Sequence, residues 1–209
     1  MVETVIGNIA AATAAGHVLG GWLLSHDLPI PDAHNDVTER GLATGVDALW
    51  YVEEDMVVPA GALATQLALL ESGHLITAVD YPVGAADVGC IAHQGDTIPW
   101  CGLGCTLIGR AVFDAIPRPW FRTDKVYMIV GPPGARRFVE ANDDRPPEYK
   151  YGQQDIWFFR QAIEAGFVIT EVAGLVAAQA KVVAMGQPGS NVGWHRIELA
   201  GEIRRQQFL

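Results

Sequence analysis

Cysteine is scarce in this chain of 209 residues, and positive charge is scarcer than negative: three Cys, and 14 Lys and Arg against 24 Asp and Glu. The thiols are odd in number, and Cys101 and Cys105 bracket only Gly-Leu-Gly, which argues against a disulfide framework and for a reducing, cytoplasmic setting. Without a matching His cluster they are also a weak zinc signal. A net charge of -10 excludes a broad electrostatic footprint for nucleic acid or an anionic membrane, so an anionic ligand needs a local cationic device. Long clean apolar runs are missing too. Residues 6–24 come nearest, but Asn8, Thr13, His17 and several glycines dilute them and no basic start precedes them, so neither an export signal nor a membrane span is expected. No internal repeat is visible. What is abundant is hydrophobic residue, 50% of the chain, enough for one domain with a substantial core.

Periodicity places the elements. Residues 3–10, ETVIGNIA, read as a first strand and 11–24 as a helix. Residues 32–44 read as a helix with Asp32 at its N-cap and Gly45 at its end. DALWYV, 47–52, has the length and apolar continuity of a strand buried on both faces. A helix starting near Pro59 carries Leu63, Leu67 and Leu70 and stops at Gly73. Then come a strand at 75–81, a helix at 107–115, a strand at 125–130 and one long Pro-, Gly- and charge-rich loop at 131–150. A helix at 155–165 stops at Gly166, and 167–172 form the final strand. Strands alternating with helices predict a single α/β domain built on a mostly parallel mixed sheet flanked by helices.

Such sheets bind ligands beyond the carboxyl ends of their strands. Glu53, Glu54 and Asp55 stand at one such end, between two apolar runs. In an extended backbone Glu53 and Asp55 share a side and Glu54 takes the other. Two converging carboxylates repel unless a cation lies between them, and Mg²⁺ or Mn²⁺, a hard ion that takes oxygen ligands and bridges to phosphates, is the natural occupant. The same triplet also reads as a solvated acidic turn before a helix whose N-terminal dipole favours acid.

Three blocks carry a family resemblance. IPDAHNDVTERGLATGVDALWYVEEDMVVPAGAL, WCGLGCTLIGRAVFDAIPRPWF and YGQQDIWFFRQAIEAGFVI resemble, in order and spacing, the middle, the acceptor-side segment and the Gly-x-Glu-Asp segment of inverting family-two glycosyltransferases. Those enzymes have the GT-A fold, which is related to the Rossmann fold. The blocks span roughly residues 30–180. The resemblance implies a nucleotide-sugar donor, a hydroxyl acceptor and a Mn²⁺ or Mg²⁺ cofactor. It divides the single domain into a donor side at 1–58, an acceptor and catalytic side at 59–180 and a tail at 181–209.

By position, Glu53 and Asp55 match the metal-binding Asp-x-Asp pair and Asp155 matches the catalytic base. Glu54, His34 and Asn35 fall on the donor side, and Arg136 and Arg137, in the long loop, are placed to clamp phosphate. Trp100, Gly102, Gly104 and Gln154 fall on the acceptor side, the glycines letting backbone approach sugar and the indole offering a stacking face. Each has a plainer reading: Asp155 as a helix cap, Trp100 to Gly104 as a tight turn beside a core tryptophan, the arginines as surface charge.

Departures are equally specific. The half before the acidic motif is short, Glu53 replaces an Asp, Gln154 an acid and His34 a frequent Arg. Gln179 stands where the family often has a metal-binding His, leaving His195 as the nearest downstream substitute. A non-catalytic nucleotide-sugar or glycan-binding module is therefore the competing expectation, and a glycoside hydrolase with paired carboxylates a third. The composition is compatible with a homo-oligomer.

Overall fold

The computed structural model describes residues 2–25, 27–83, 88–124, 126–130, 137–141, 154–186 and 193–199. The elements are α1 (Val2–Ala14), α2 (Asp32–Ala43), β1 (Ala48–Val52), β2 (Met56–Val57), α3 (Ala62–Glu71), β3 (Ile76–Asp80), β4 (Pro82–Val83), β5 (Val88–Gly89), β6 (Ala92–Gln94), β7 (Thr97–Trp100), β8 (Cys105–Gly109), α4 (Arg110–Ala115), β9 (Val126–Val130), β10 (Arg137–Ala141), α5 (Gln154–Glu164), β11 (Ile169–Val176), β12 (Ala178–Gly186) and β13 (Gly193–Leu199).

The central sheet has the order β1-β8-β3-β11. β8 is antiparallel to both β1 and β3, and β11 is parallel to β3. β1, β3 and β11 therefore share one direction and β8 alone is reversed, so the α/β sheet is mixed as expected, although among the described residues the only parallel neighbours are β3 and β11. β8 and most of β3 are fully buried, which explains why neither shows an alternating pattern. Three short antiparallel pairs (β4 with β5, β6 with β7, β9 with β10) and a β13-β12-β2 sheet surround this core.

The first expected strand is instead helix α1. Val5, Asn8 and Ala12 recur at helical spacing and are its buried residues, and one of the three is polar, which obscures the stripe. Asn8 is buried because α3 needs it. Its Nδ2 donates to Pro59 O (3.0 Å), and its Oδ1 accepts from Leu63 N (3.2 Å), an otherwise orphaned amide in the first turn of α3. Residues 15–25 are not the helix expected there. The segment expected as one helix from 107 begins as β8, and α4 starts only at Arg110. β10 lies inside the stretch expected to be all loop and pairs with β9. β11 is not the last strand, since β12 and β13 follow it.

The remaining boundaries agree closely. α2, α3 and α5 end at Gly45, Gly73 and Gly166, whose φ angles of 83°, 94° and 92° lie in the left-handed region that glycine adopts without strain. Pro31 rather than Asp32 occupies the N-cap of α2.

Gln66 of α3 sits against three strands. Its fully buried amide accepts from Trp50 Nε1 on β1 (2.9 Å) and donates to Thr77 O on β3 (2.9 Å) and Cys105 O on β8 (3.3 Å). A buried amide is tolerated only when satisfied in this way. An aromatic cluster of Phe113, Phe121, Phe158 and Tyr51 fills the opposite side, Phe121 and Phe158 stacking at 4.9 Å.

Candidate carboxylate site at the strand ends

β1 ends at Val52, and the acidic triplet makes a tight turn, with Met56 N donating to Glu53 O at 3.1 Å, before β2 begins. The extended alternation expected for the triplet is thus replaced by a turn, yet the division survives: Glu53 and Asp55 are half-buried and Glu54 is exposed. Glu53 N donates to Gly104 O at 3.3 Å, which fastens the turn to the segment leading into β8.

Asp155 is the second residue of α5 and is brought to this turn. The charges of Asp55, Asp155 and Glu54, acting after burial as the main cause, raise Glu53 from 4.5 to about 7. Burial likewise raises Asp155 from 3.8 to about 6, opposed by hydrogen bonds from its own amide and from Ile156 N, which donates to Oδ1 at 2.8 Å. A helix N-terminus favours the ionised form of Asp155, but desolvation outweighs the dipole here. A base poised near 6 is mostly deprotonated at neutral pH and still receptive to a proton.

Some of the unpartnered buried polar groups lie on α5 and on strands paired with or packed against the site elements. Gln154 Oε1 is buried without a hydrogen-bond partner, as are the indole N–H groups of Trp100 and Trp157 and Gln179 Oε1. Gln154 and Trp157 are three apart on α5, hence on one face, and α5 packs against β7, where Trp100 lies. Gln179 on β12 is paired with Met56, the residue after Asp55. Buried polar groups are normally satisfied, so Gln154 and Trp157, on the helix that carries Asp155, are candidates for contact with a polar ligand.

The other expected positions divide. His34 lines the same groove as Glu53 and Gln154, its ring packs between Tyr51 and Phe121, and burial lowers it to about 4. It is a neutral imidazole whose Nδ1 has no partner. Asn35 is committed elsewhere: its Nδ2 donates to Phe121 O (2.9 Å) and its Oδ1 accepts from Phe121 N (3.1 Å), tying α2 to the turn after α4. Its amide is occupied by that bond pair. Gly102 and Gly104 do allow a close approach, and Tyr81 makes one. A Cβ on Gly102 would stand 2.1 Å from Tyr81 Oη, and one on Gly104 2.7 Å from its ring.

Arg136 lies outside the described residues. Arg137 opens β10. His195 is in β13 opposite Ala184, five residues along β12 from Gln179, about 16 Å at the rise of a strand. Gln179 is therefore the residue that the register sets beside the acidic turn. Among the described residues, no group of three or more His, Cys, Asp or Glu side chains converges as a metal site.

Tyr81 and Trp157 were not singled out from the sequence. Tyr81 follows β3 at its carboxyl end, and its Oη accepts from Gly104 N at 3.2 Å. Burial and the neighbouring Glu53 carboxylate raise its pKa, so the phenol keeps its proton. Its place at the end of the strand predicted at 75–81 is the available signal. Trp157 carries the Arg122 guanidinium 4.8 Å above its ring; its spacing from Gln154 would have marked it.

The fold and site define a mixed α/β protein with Glu53 and Asp55 at the end of β1 near Asp155 at the start of α5. No protein-family model matches the chain, and no curated protein matches it in sequence. Among solved structures it is similar to the crystal structure of A197 from STIV, with a TM-score of 0.52 over 76% of this chain and 71% of that one, at 16% identity. At that identity the likeness speaks to the fold alone. Among the described residues, no helix is long and apolar enough to cross a membrane.

Proposed function

We propose that the protein is a metal-dependent inverting glycosyltransferase of GT-A type, moving a sugar from a nucleotide-diphosphate donor to a hydroxyl acceptor in the cytoplasm. The observation that carries this reading is the meeting of Glu53 and Asp55, at the end of β1, with Asp155, at the start of α5, each half-buried. An inverting transfer needs one carboxylate facing the acceptor and a second group of carboxylates on the donor side.

The donor set suits a hard divalent cation. Glu53 and Asp55 supply carboxylate oxygens from one turn, and Gln179 Oε1 is a buried oxygen without a partner next to it. When bound, Mn²⁺ or Mg²⁺ would neutralise the diphosphate as it departs. Asp155 takes the proton of the acceptor hydroxyl as that oxygen attacks the anomeric carbon and the bond to the diphosphate breaks. Trp157 and Trp100 offer indole N–H donors to sugar hydroxyls, and Gln154 Oε1 accepts one. Tyr81, protonated, holds the Gly102–Gly104 backbone in place beneath them.

A second reading, a nucleotide-sugar or glycan-binding module without turnover, is favoured by Gln179, a neutral amide beside the acidic turn. Donor-dependent release of nucleoside diphosphate separates the two. Turnover requiring Mn²⁺ or Mg²⁺ and abolished by Asp55→Ala and by Asp155→Asn is expected. Unchanged turnover in both variants refutes the catalytic assignment, and calorimetric donor binding without any release supports the module.

A further inference from the structure

Beyond any transferase activity, the open edge of the central sheet carries its own message. Among the described residues, β1 pairs with β8 on one side and is a terminal strand of its sheet. Edge strands are normally short, charged or covered, because unpaired backbone groups template further strands. β1 reads ALWYV, with no charge.

The layers that would cover a further strand already exist. On one face Ala48 and Trp50 pack with Ala12 of α1 and with Leu63 and Leu67 of α3. On the other, Gly41 of α2 is pressed against Leu49, and Thr38 bonds Tyr51 Oη at 2.6 Å. Residues 15–25 pass from the first face to the second around the edge of β1. They touch inward where Gly20 meets Val46 and Leu23 meets Gly41, and Arg40 Nη2 holds Leu24 O at 2.7 Å.

Between this strap, β1 and the two helices runs part of the groove that continues to Glu53 and Gln154; it measures about 1470 Å³ in all and is lined here by Ile9, Trp22, Leu49, Trp50 and Leu67. A strand of seven residues, about 23 Å long, about 4.8 Å wide and about 10 Å between covering layers, fills about 1,100 Å³. Eight of the eleven exposed large apolar side chains among the described residues lie within residues 2–28, including Val18 at 92% and Trp22 at 49% exposure. A concentration of this kind marks an interaction surface. Residues 15–31 contain no Lys or Arg, so the strap does not favour an anionic lipid surface.

We propose that this groove is a docking slot for one additional β-strand, contributed by a partner polypeptide as an extended, uncharged, apolar segment of about seven residues. It lies parallel to β1, the orientation typical of strands covered by helices on both faces. Backbone pairing selects peptide over an acyl chain, because only a peptide satisfies the outward N–H and C=O groups of β1.

The test uses the full chain with a synthetic heptapeptide, acetyl-Thr-Val-Val-Ile-Ile-Val-Thr-amide, and an analogue carrying proline at the central position. Saturable binding that slows hydrogen exchange of the outward β1 amides by about tenfold or more, lost with the proline peptide and weakened by about tenfold in the strap variant Trp22→Asp, is expected. Trp22 is half-exposed, so the variant is not expected to disturb the core. Absence of β1 protection, equal effects of both peptides, or equal protection by phosphatidylcholine vesicles overturns the proposal. So does peptide-independent protection in a protein that sediments as a dimer, which assigns the edge to a second copy.

Discussion

Replacing Glu53 by Gln keeps the size of the side chain and removes the charge that its surroundings resist. The folded protein raises Glu53 from 4.5 to about 7 through burial and through Asp55, Asp155 and Glu54. At 1.36 kcal/mol per pK unit, ionising it in the folded state costs about 3 kcal/mol relative to the unfolded chain, or about 2 kcal/mol once solvent reaching a half-buried group is allowed for. The unfolded state loses its proton first, so this cost is absent below pH 4.5, grows as pH rises towards 7 and is complete above it. Glu53→Gln should therefore stabilise the protein at pH 8 and do little at pH 4.5. For a chain of this size about 2 kcal/mol corresponds to a Tm increase of about 4–8 °C. Circular dichroism melts of both proteins at the two pH values measure it, and Mn²⁺ at pH 8 should raise the wild-type Tm more than that of the variant. An equal Tm difference at both pH values, or a loss of stability at pH 8, refutes the electrostatic account. A wild type indifferent to Mn²⁺ and Mg²⁺ refutes the metal assignment.

Other consequences are separable from that one. Gly102→Ala places a methyl 2.1 Å from Tyr81 Oη and should cost about 1–3 kcal/mol by overpacking. Adding Tyr81→Phe removes the obstructing oxygen and should recover part of the loss in urea melts, whereas no recovery would place the strain elsewhere. Asn8→Ala breaks the bonds to Pro59 O and Leu63 N and should cost about 1–3 kcal/mol, because partners are left unsatisfied; an unchanged urea midpoint would show that α1 is not held by them.

Much of this was legible because local signals were unopposed. The glycines ending α2, α3 and α5 require a left-handed backbone that other residues avoid, and the Leu stripe of α3 has no competing pattern. α1 was misread because β-branched residues at its start imitate a strand, and the polar residue in its buried stripe serves another helix 51 to 55 residues away in sequence. β8 was misread because a short, continuously buried run has no periodicity to distinguish strand from helix. At the site, the position of Asp155 opposite Glu53 followed from motif order, but the direction of its pKa shift did not. That depends on desolvation, which only packing determines. At Gly102 and Gly104 the sequence signalled a close approach without naming Tyr81 as one of the groups that makes it: a glycine announces that something approaches closely, not what approaches.

The amide of Gln66 bears on how the sheet is assembled. Thr77 and Trp50 lie 11 and 16 residues from Gln66, so those bonds can form early, but Cys105 arrives only when a segment 39 residues away docks. Until then a polar group faces a closing hydrophobic interface with a valence unmet. A sheet that collapses with β1 or β8 slipped by one residue presents the wrong carbonyl and turns Trp50 to the other face, so the amide discriminates among compact states that apolar contacts alone would weigh nearly alike. One side chain thereby proofreads the register of three strands.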